Sequence, residues 1–167
     1  MKLNIRLAMP ADAPDMAEIH ARSWEAAYQG FMPLSYIQEK NAGRPTLWER
    51  ILAQENTTRH VIALDGKAVG LLDVGSPQYE TEEAALYELR GLYLHPDYYR
   101  QGIGTQAMAF ALDIARAQGK ESMILWVFAE NAASIKFYES CGFRADGGEM
   151  AYQCGKPLTA IRMRRTL

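Results

Sequence analysis

Between Leu92 and Thr105 the chain reads Leu-Tyr-Leu-His-Pro-Asp-Tyr-Tyr-Arg-Gln-Gly-Ile-Gly-Thr, an apolar strand that passes through a short basic loop into two glycines heading a helix. Met108, Ala111, Leu112 and Ala115 then recur at helical spacing. The backbone amides of Arg100, Gln101, Gly102, Ile103, Gly104 and Thr105 therefore fall at or just before a helix N-terminus and have no partners within the helix. Gly102 and Gly104 carry no Cβ, so a bulky pyrophosphate can approach the main chain, and the helix dipole favours its charge.

Two phosphate-binding patterns compete for this segment. Gly102-Ile103-Gly104-Thr105-Gln106-Ala107 fits the dinucleotide pattern G-x-G-x-x-A, which needs its glycines directly after a strand and an acidic residue about 20 positions on, at the end of the next strand. Here His95 to Gln101 separate strand from glycines, and Glu121 precedes the next strand instead of ending it. A P-loop fails more simply, because no Lys-Ser/Thr follows the glycines.

A second signal lies after the apolar run Met123 to Phe128. Asn131 is a good N-cap and Gly142 a good C′ residue, so Asn131-Ala-Ala-Ser-Ile-Lys-Phe-Tyr138-Glu-Ser-Cys-Gly142-Phe143 predicts a short helix with both ends marked. Asn131 and Tyr138 lie about two turns apart and share a face. Taken singly, Tyr138 reads as a core aromatic and Asn131 as a cap; beside the glycine loop they read as a site.

These residues carry a resemblance to the GNAT superfamily of N-acetyltransferases. Its phosphate loop reads Q/R-x-x-G-x-G/A after a strand ending near a proline, and its later helix roughly N-x-x-A-x-x-x-Y-x-x-x-G-F. Gly102 and Gly104 match the first, and Asn131, Ser134, Tyr138, Gly142 and Phe143 follow the second. Tyr99 stands where the pattern has Gln or Arg, and Arg100 follows it with a positive charge. The resemblance covers Arg59 to Leu167 and anticipates a pair of helices before that.

The resemblance implies an α/β fold with a mixed, mostly antiparallel sheet of about six or seven strands flanked by about four helices. The chain itself predicts strands at Asn4–Ala8, His60–Leu64, Ala68–Val74, Leu86–Leu94, Met123–Phe128, Glu149–Cys154 and Leu158–Met163. A helix starts at Pro10-Ala11-Asp12, with Met16, Ile19, His20 and Ser23 on one face, and Pro33 and Pro45 punctuate a second helical region. Residues 1–167 are expected to form one acetyltransferase domain without repeats or linkers.

The resemblance also assigns roles. Acetyl-CoA would be the cosubstrate, with the main chain of Leu92, Tyr93 and Leu94 aligning its pantetheine arm, the loop Arg100 to Thr105 holding its phosphates, and Asn131 touching the arm. Glu88, eleven residues before Tyr99, occupies the offset of a base glutamate in several family members. An alkylammonium has a pKa of about 10 and must lose a proton before it attacks a thioester, so a carboxylate base would help. The alternative makes Glu88 a structural carboxylate paired with Arg90. Another branch carries its base five residues before the helix asparagine, where this chain has Trp126. Tyr138 would act as acid toward the departing thiolate. Trp24 and Tyr28, four apart on the first helix, are the candidate acceptor wall, or else core.

Composition narrows the partners. With 167 residues, 49% hydrophobic, and a net charge of −2, one core is expected and general attraction to nucleic acid is not. Cys141 and Cys154 show no metal spacing, His20, His60 and His95 are scattered, and no long apolar run marks a membrane span. The expectations are a cytoplasmic enzyme without metal, a small-molecule amine or peptide acceptor, and compatibility with a homodimer. A non-catalytic acyl-CoA-binding domain would keep the glycine loop and dispense with Glu88 and Tyr138.

Overall fold

Val61, Ile62 and Ala63 are buried in succession, as are Val69 to Val74, and strands read this way only where both faces of their sheet are covered. In the computed structural model, which describes residues 1–79, 81 and 83–167, they are β2 (Arg59–Leu64) and β3 (Lys67–Gly75) of a sheet with order β1-β2-β3-β4-β5-β7-β6. The other strands are β1 (Leu3–Leu7), β4 (Leu86–Leu94), β5 (Ser122–Phe128), β6 (Arg144–Gln153) and β7 (Pro157–Thr166). The β4–β5 pair is parallel and the remaining pairs are antiparallel. This is the mixed, mostly antiparallel α/β architecture that the sequence implied.

The helices divide between the two faces. α1 (Ala13–Tyr28) and α3 (Arg44–Leu52) bring Met16, Ile19, Trp48 and Leu52 onto Val61, Ala63 and Leu71. On the other face α4 (Ile103–Ala117) packs Ala107, Met108, Ala111 and Leu112 against Ile62, Leu72, Val74 and Leu89. Alternate residues of one strand thus feed two cores. α2 (Leu34–Ala42) and α5 (Ala132–Ser140) complete the set.

The second helical region divides at Gly43 into α2 and α3, giving five α-helices among the described residues instead of about four. Pro45 lies in the first turn of α3, where its missing N–H costs nothing. Pro10-Ala11-Asp12 forms a 3₁₀ turn before α1, where Asp12 accepts the Met9 N–H at 2.7 Å and a forked pair of bonds from Arg6. β6 starts at Arg144, five residues ahead of the expected Glu149, because Asp146, Gly147 and Gly148 bulge within the strand between Ala145 and Glu149. β7 reaches Thr166 because Arg162 and Arg164, which break the apolar pattern, pair with Asp146 and Glu83.

α5 ends in a Schellman motif. The Phe143 N–H donates to the Tyr138 carbonyl at 3.0 Å and the Gly142 N–H to that of Glu139 at 3.0 Å, with Gly142 at φ 87°. Phe143, fully buried, anchors the end and so fixes Tyr138. Gly142→Ala puts a Cβ on a left-handed residue and is expected to destabilise the protein by about 1–2 kcal/mol, read by urea unfolding with an unchanged m-value.

Candidate active site

β4 runs to Leu94 and β5 to Phe128, yet their pairing stops at Leu89 and Leu125. β4 stays paired with β3 out to Leu94, and β5 with β7 out to Phe128. The sheet therefore opens between β4 and β5, and the main chain from Arg90 to Leu94 faces the opening along one unpaired edge. Leu92, Tyr93 and Leu94 lie on that edge, ready to pair with an extended amide-bearing chain.

The opening leads into the loop before α4. The amides of Arg100, Gln101, Gly102, Ile103, Gly104 and Thr105 have no hydrogen-bond partner among the described residues. Arg100 (φ 62°) and Gly102 (φ 77°) are both left-handed, which turns neighbouring N–H groups toward one side and makes a concavity for an anion. A Cβ added at Gly102 would meet nothing within 4 Å, so the space before the loop is free. Gly104 differs from expectation: its Cβ would lie 3.3 Å from Phe137 Cζ, so the missing side chain lets α4 approach α5. It admits a helix, where Gly102 leaves room for a ligand.

A β-bulge arranges the side chains beside the opening. Val74 pairs with Leu89 and Asp73 with Gly91, leaving Arg90 as the extra residue. Tyr87 and Leu89 before the bulge, and Leu92 and Leu94 after it, pack on the α4 side. Glu88 and Tyr93, five apart, consequently share the opposite face, which a straight strand would not allow.

Glu88 is 2% exposed, and its Oε2 accepts the Gln78 N–H at 2.6 Å. Burial raises its pKa, opposed by the Gln78 amide and the Arg90 charge and assisted by Asp73. Arg90 does not form the structural pair weighed from the sequence. Its guanidinium donates to Thr58 Oγ1 (3.3 Å) and the Ser76 carbonyl and lies 3.8 Å from Asp73 Oδ1. Tyr138 has its pKa raised by burial, then by the neighbouring Tyr93 and Cys141, so its hydroxyl stays protonated and available as a donor. Asn131 Oδ1 accepts the Ser134 N–H at 3.2 Å, the cap the sequence marks.

Trp24 and Tyr28 both lie on α1 with ring centroids 5.1 Å apart. Tyr28 meets Phe128 at 5.4 Å, and Phe128 meets Tyr152 at 5.9 Å. These rings rim a small core of Met32, Ile37, Cys154 and Leu158, which places Trp24 and Tyr28 at a core edge. Tyr28 is near enough to Tyr93 and Tyr138 to be shifted by both, and Tyr152 near enough to be shifted by Glu88. Phe128, Tyr152 and the Tyr93 ring are candidate site residues that sequence reasoning missed, because only the folded sheet brings them together. No three His, Cys, Asp or Glu side chains converge as a metal site among the described residues.

An unpartnered run of amides before α4 and a sheet that opens between β4 and β5 above a buried carboxylate are the arrangement expected of an acyl-CoA-type transferase, and the comparisons place the chain among such proteins. The model of the acetyltransferase (GNAT) family matches residues 14–143, and the chain belongs to that family, whose members draw acetyl groups from acetyl-CoA. It is 28% identical over 140 residues to an uncharacterised N-acetyltransferase of Methanocaldococcus jannaschii, a match covering 83% of this chain and 59% of that one. An alanine N-acetyltransferase of ribosomal protein bS18 from Escherichia coli is 30% identical over 115 residues, covering 67% and 74% respectively. The fold is that of the PaiA N-acetyltransferase of Thermoplasma acidophilum, solved with coenzyme A (TM-score 0.80, 21% identity, all of both chains). No helix among the described residues is long and apolar enough to cross a membrane.

Because burial dominates at Glu88 and Arg90 opposes it, the Glu88 carboxyl is expected to titrate above the ordinary glutamate value of about 4.3, and higher still in Arg90→Met. Carbon-13 NMR titration of labelled glutamate checks both; an ordinary value that ignores Arg90 would refute the electrostatic account.

Proposed function

We propose that this chain transfers the acetyl group of acetyl-CoA to a primary amine of a small molecule or peptide by direct attack within a ternary complex. The reading rests above all on the β4–β5 opening that runs into six unpartnered amides. Phosphate oxygens would accept from the Arg100 to Thr105 amides, with Arg100 adding charge, and the pantetheine amides would pair with the edge of Leu92, Tyr93 and Leu94. Asn131 would contact the same arm while capping α5. The thioester carbonyl would then lie between Glu88 and Tyr138.

Glu88 would take the proton of the acceptor ammonium, directly or through water. The freed nitrogen forms the new C–N bond, the C–S bond breaks, the Tyr138 hydroxyl gives its proton to the departing sulfur, and the second proton that the nitrogen must shed passes through water to restore that hydroxyl. A raised Tyr138 pKa supports a donor role, and a raised Glu88 pKa supports a base poised nearer neutrality. Trp24 and Tyr28 would wall the acceptor side. The alanine N-acetyltransferase relative favours an α-amine as the nucleophile.

Tyr138→Phe is expected to leave acetyl-CoA affinity within twofold by calorimetry while kcat falls by about 10²-fold, since the hydroxyl acts as sulfur departs. An unchanged kcat would make this tyrosine packing alone. Glu88→Gln should remove the lower of two ionisations from the acid limb of the pH–kcat/KM profile, one that in the parent lies above the ordinary carboxylate range, and leave that of the amine. Its deficit should shrink as rising pH frees the amine; a parallel loss at every pH would assign Glu88 a structural role.

A further inference from the structure

Arg44 opens α3 and is 6% exposed, yet Nε and Nη2 of its guanidinium are buried without a hydrogen-bond partner. It has no carboxylate within 4 Å among the described residues. Its position in the first turn of a helix is the wrong one for a cation, because the dipole there is positive. The Trp24 ring, 4.2 Å from Arg44 Cζ, offsets part of these costs. A buried charge left in this state is unfavourable unless something completes it.

What is missing is an acceptor of hydrogen bonds. Nε–H and one Nη2–H point to the same side of the guanidinium, the edge that grips a carboxylate through two parallel bonds. Trp24 Nε1, on the ring that Arg44 covers, is a third buried donor without a partner. Other groups nearby supply no negative charge: Trp48 donates to His20 Nδ1 at 3.2 Å, burial keeps that imidazole neutral with its pKa lowered to about 3, and Tyr28, Tyr36 and Tyr93 are phenols. Trp24, the ring under the guanidinium, meets Tyr28 at 5.1 Å, and Tyr28 meets Phe128 at the open end of β5 at 5.4 Å, so Arg44 lies behind the aromatic rim of the proposed acceptor side.

We propose that Arg44, with Trp24, binds a carboxylate carried by the acceptor, so that the substrate class is a small zwitterion, an amino acid whose amine attacks while its carboxylate completes Arg44. This rests on the transferase reading and deepens it. The same cation disfavours an ammonium beside it, which helps the acceptor lose its proton to Glu88. It also selects against polyamines, which bring a second positive charge where the site presents its own.

Thiol release from acetyl-CoA is measured with a panel of L-amino acids, their primary amides, and spermidine. The amino acids should exceed their amides in kcat/KM by at least tenfold, with spermidine inactive, although the amide's amine is the less basic and hence freer. Arg44→Met should bring each acid-to-amide ratio near one by raising the acceptor KM. It should leave the acetyl-CoA KM unchanged and the melting temperature equal or higher, where a merely structural arginine would lower it. Amides or spermidine used as well as the acids by the parent enzyme overturn the carboxylate site and leave the transferase intact. Should no amine release thiol, the transferase reading falls, and calorimetry of the amino acids into the parent protein with CoA bound decides the rest. Binding lost in Arg44→Met upholds the carboxylate site, and no binding to the parent overturns it.

Discussion

The molecule depends on the parting of β4 and β5. Four residue pairs hold the strands together, from Leu86–Ser122 to Leu89–Leu125, and beyond them each strand is held by its other neighbour. Antiparallel partners on both flanks supply the rigidity that lets the centre of the sheet stand open with unpaired main chain. That main chain is free to pair with a ligand, since no segment of the protein among the described residues pairs with it. The crossover through α4 then directs the N-terminal amides of that helix at the end of the same opening.

Electrostatics at the opening follow from burial. Glu88, Tyr138, Tyr28 and Arg44 are each shifted first by desolvation toward the neutral form. A carboxyl held closer to neutrality and phenols held protonated suit proton transfer to and from neutral or weakly charged groups. Arg44 is the exception in kind, because a guanidinium stays charged at any ordinary pH. Two of its nitrogens are buried without a hydrogen-bond partner.

Much of this was legible in the residues. The loop glycines, the α5 cap at Asn131 and the stop at Gly142 declare themselves through local backbone chemistry, so those elements stand where the sequence puts them. Leu86–Leu94 matched to the residue because both ends abut turns. Three features were not legible for a common reason: each depends on contacts between distant segments. The Arg90 bulge needs β3 beside it, the Gly147-Gly148 bulge needs Arg162 of β7 packed against it, and Arg44 looks like any surface cation until α2, α3 and Trp24 close over it. Gly104 carries a further constraint that the sequence does not show, the close approach of Phe137 on α5.

The central claim is that acetyl-CoA lies in the β4–β5 opening with its phosphates on the loop amides. Amide hydrogen exchange, read by mass spectrometry with and without saturating acetyl-CoA, tests it most directly. The account predicts slowed exchange concentrated in Arg90 to Leu94 and Arg100 to Thr105, with β1 and β2 unaffected. Protection confined to other segments, or none at saturation, would contradict it.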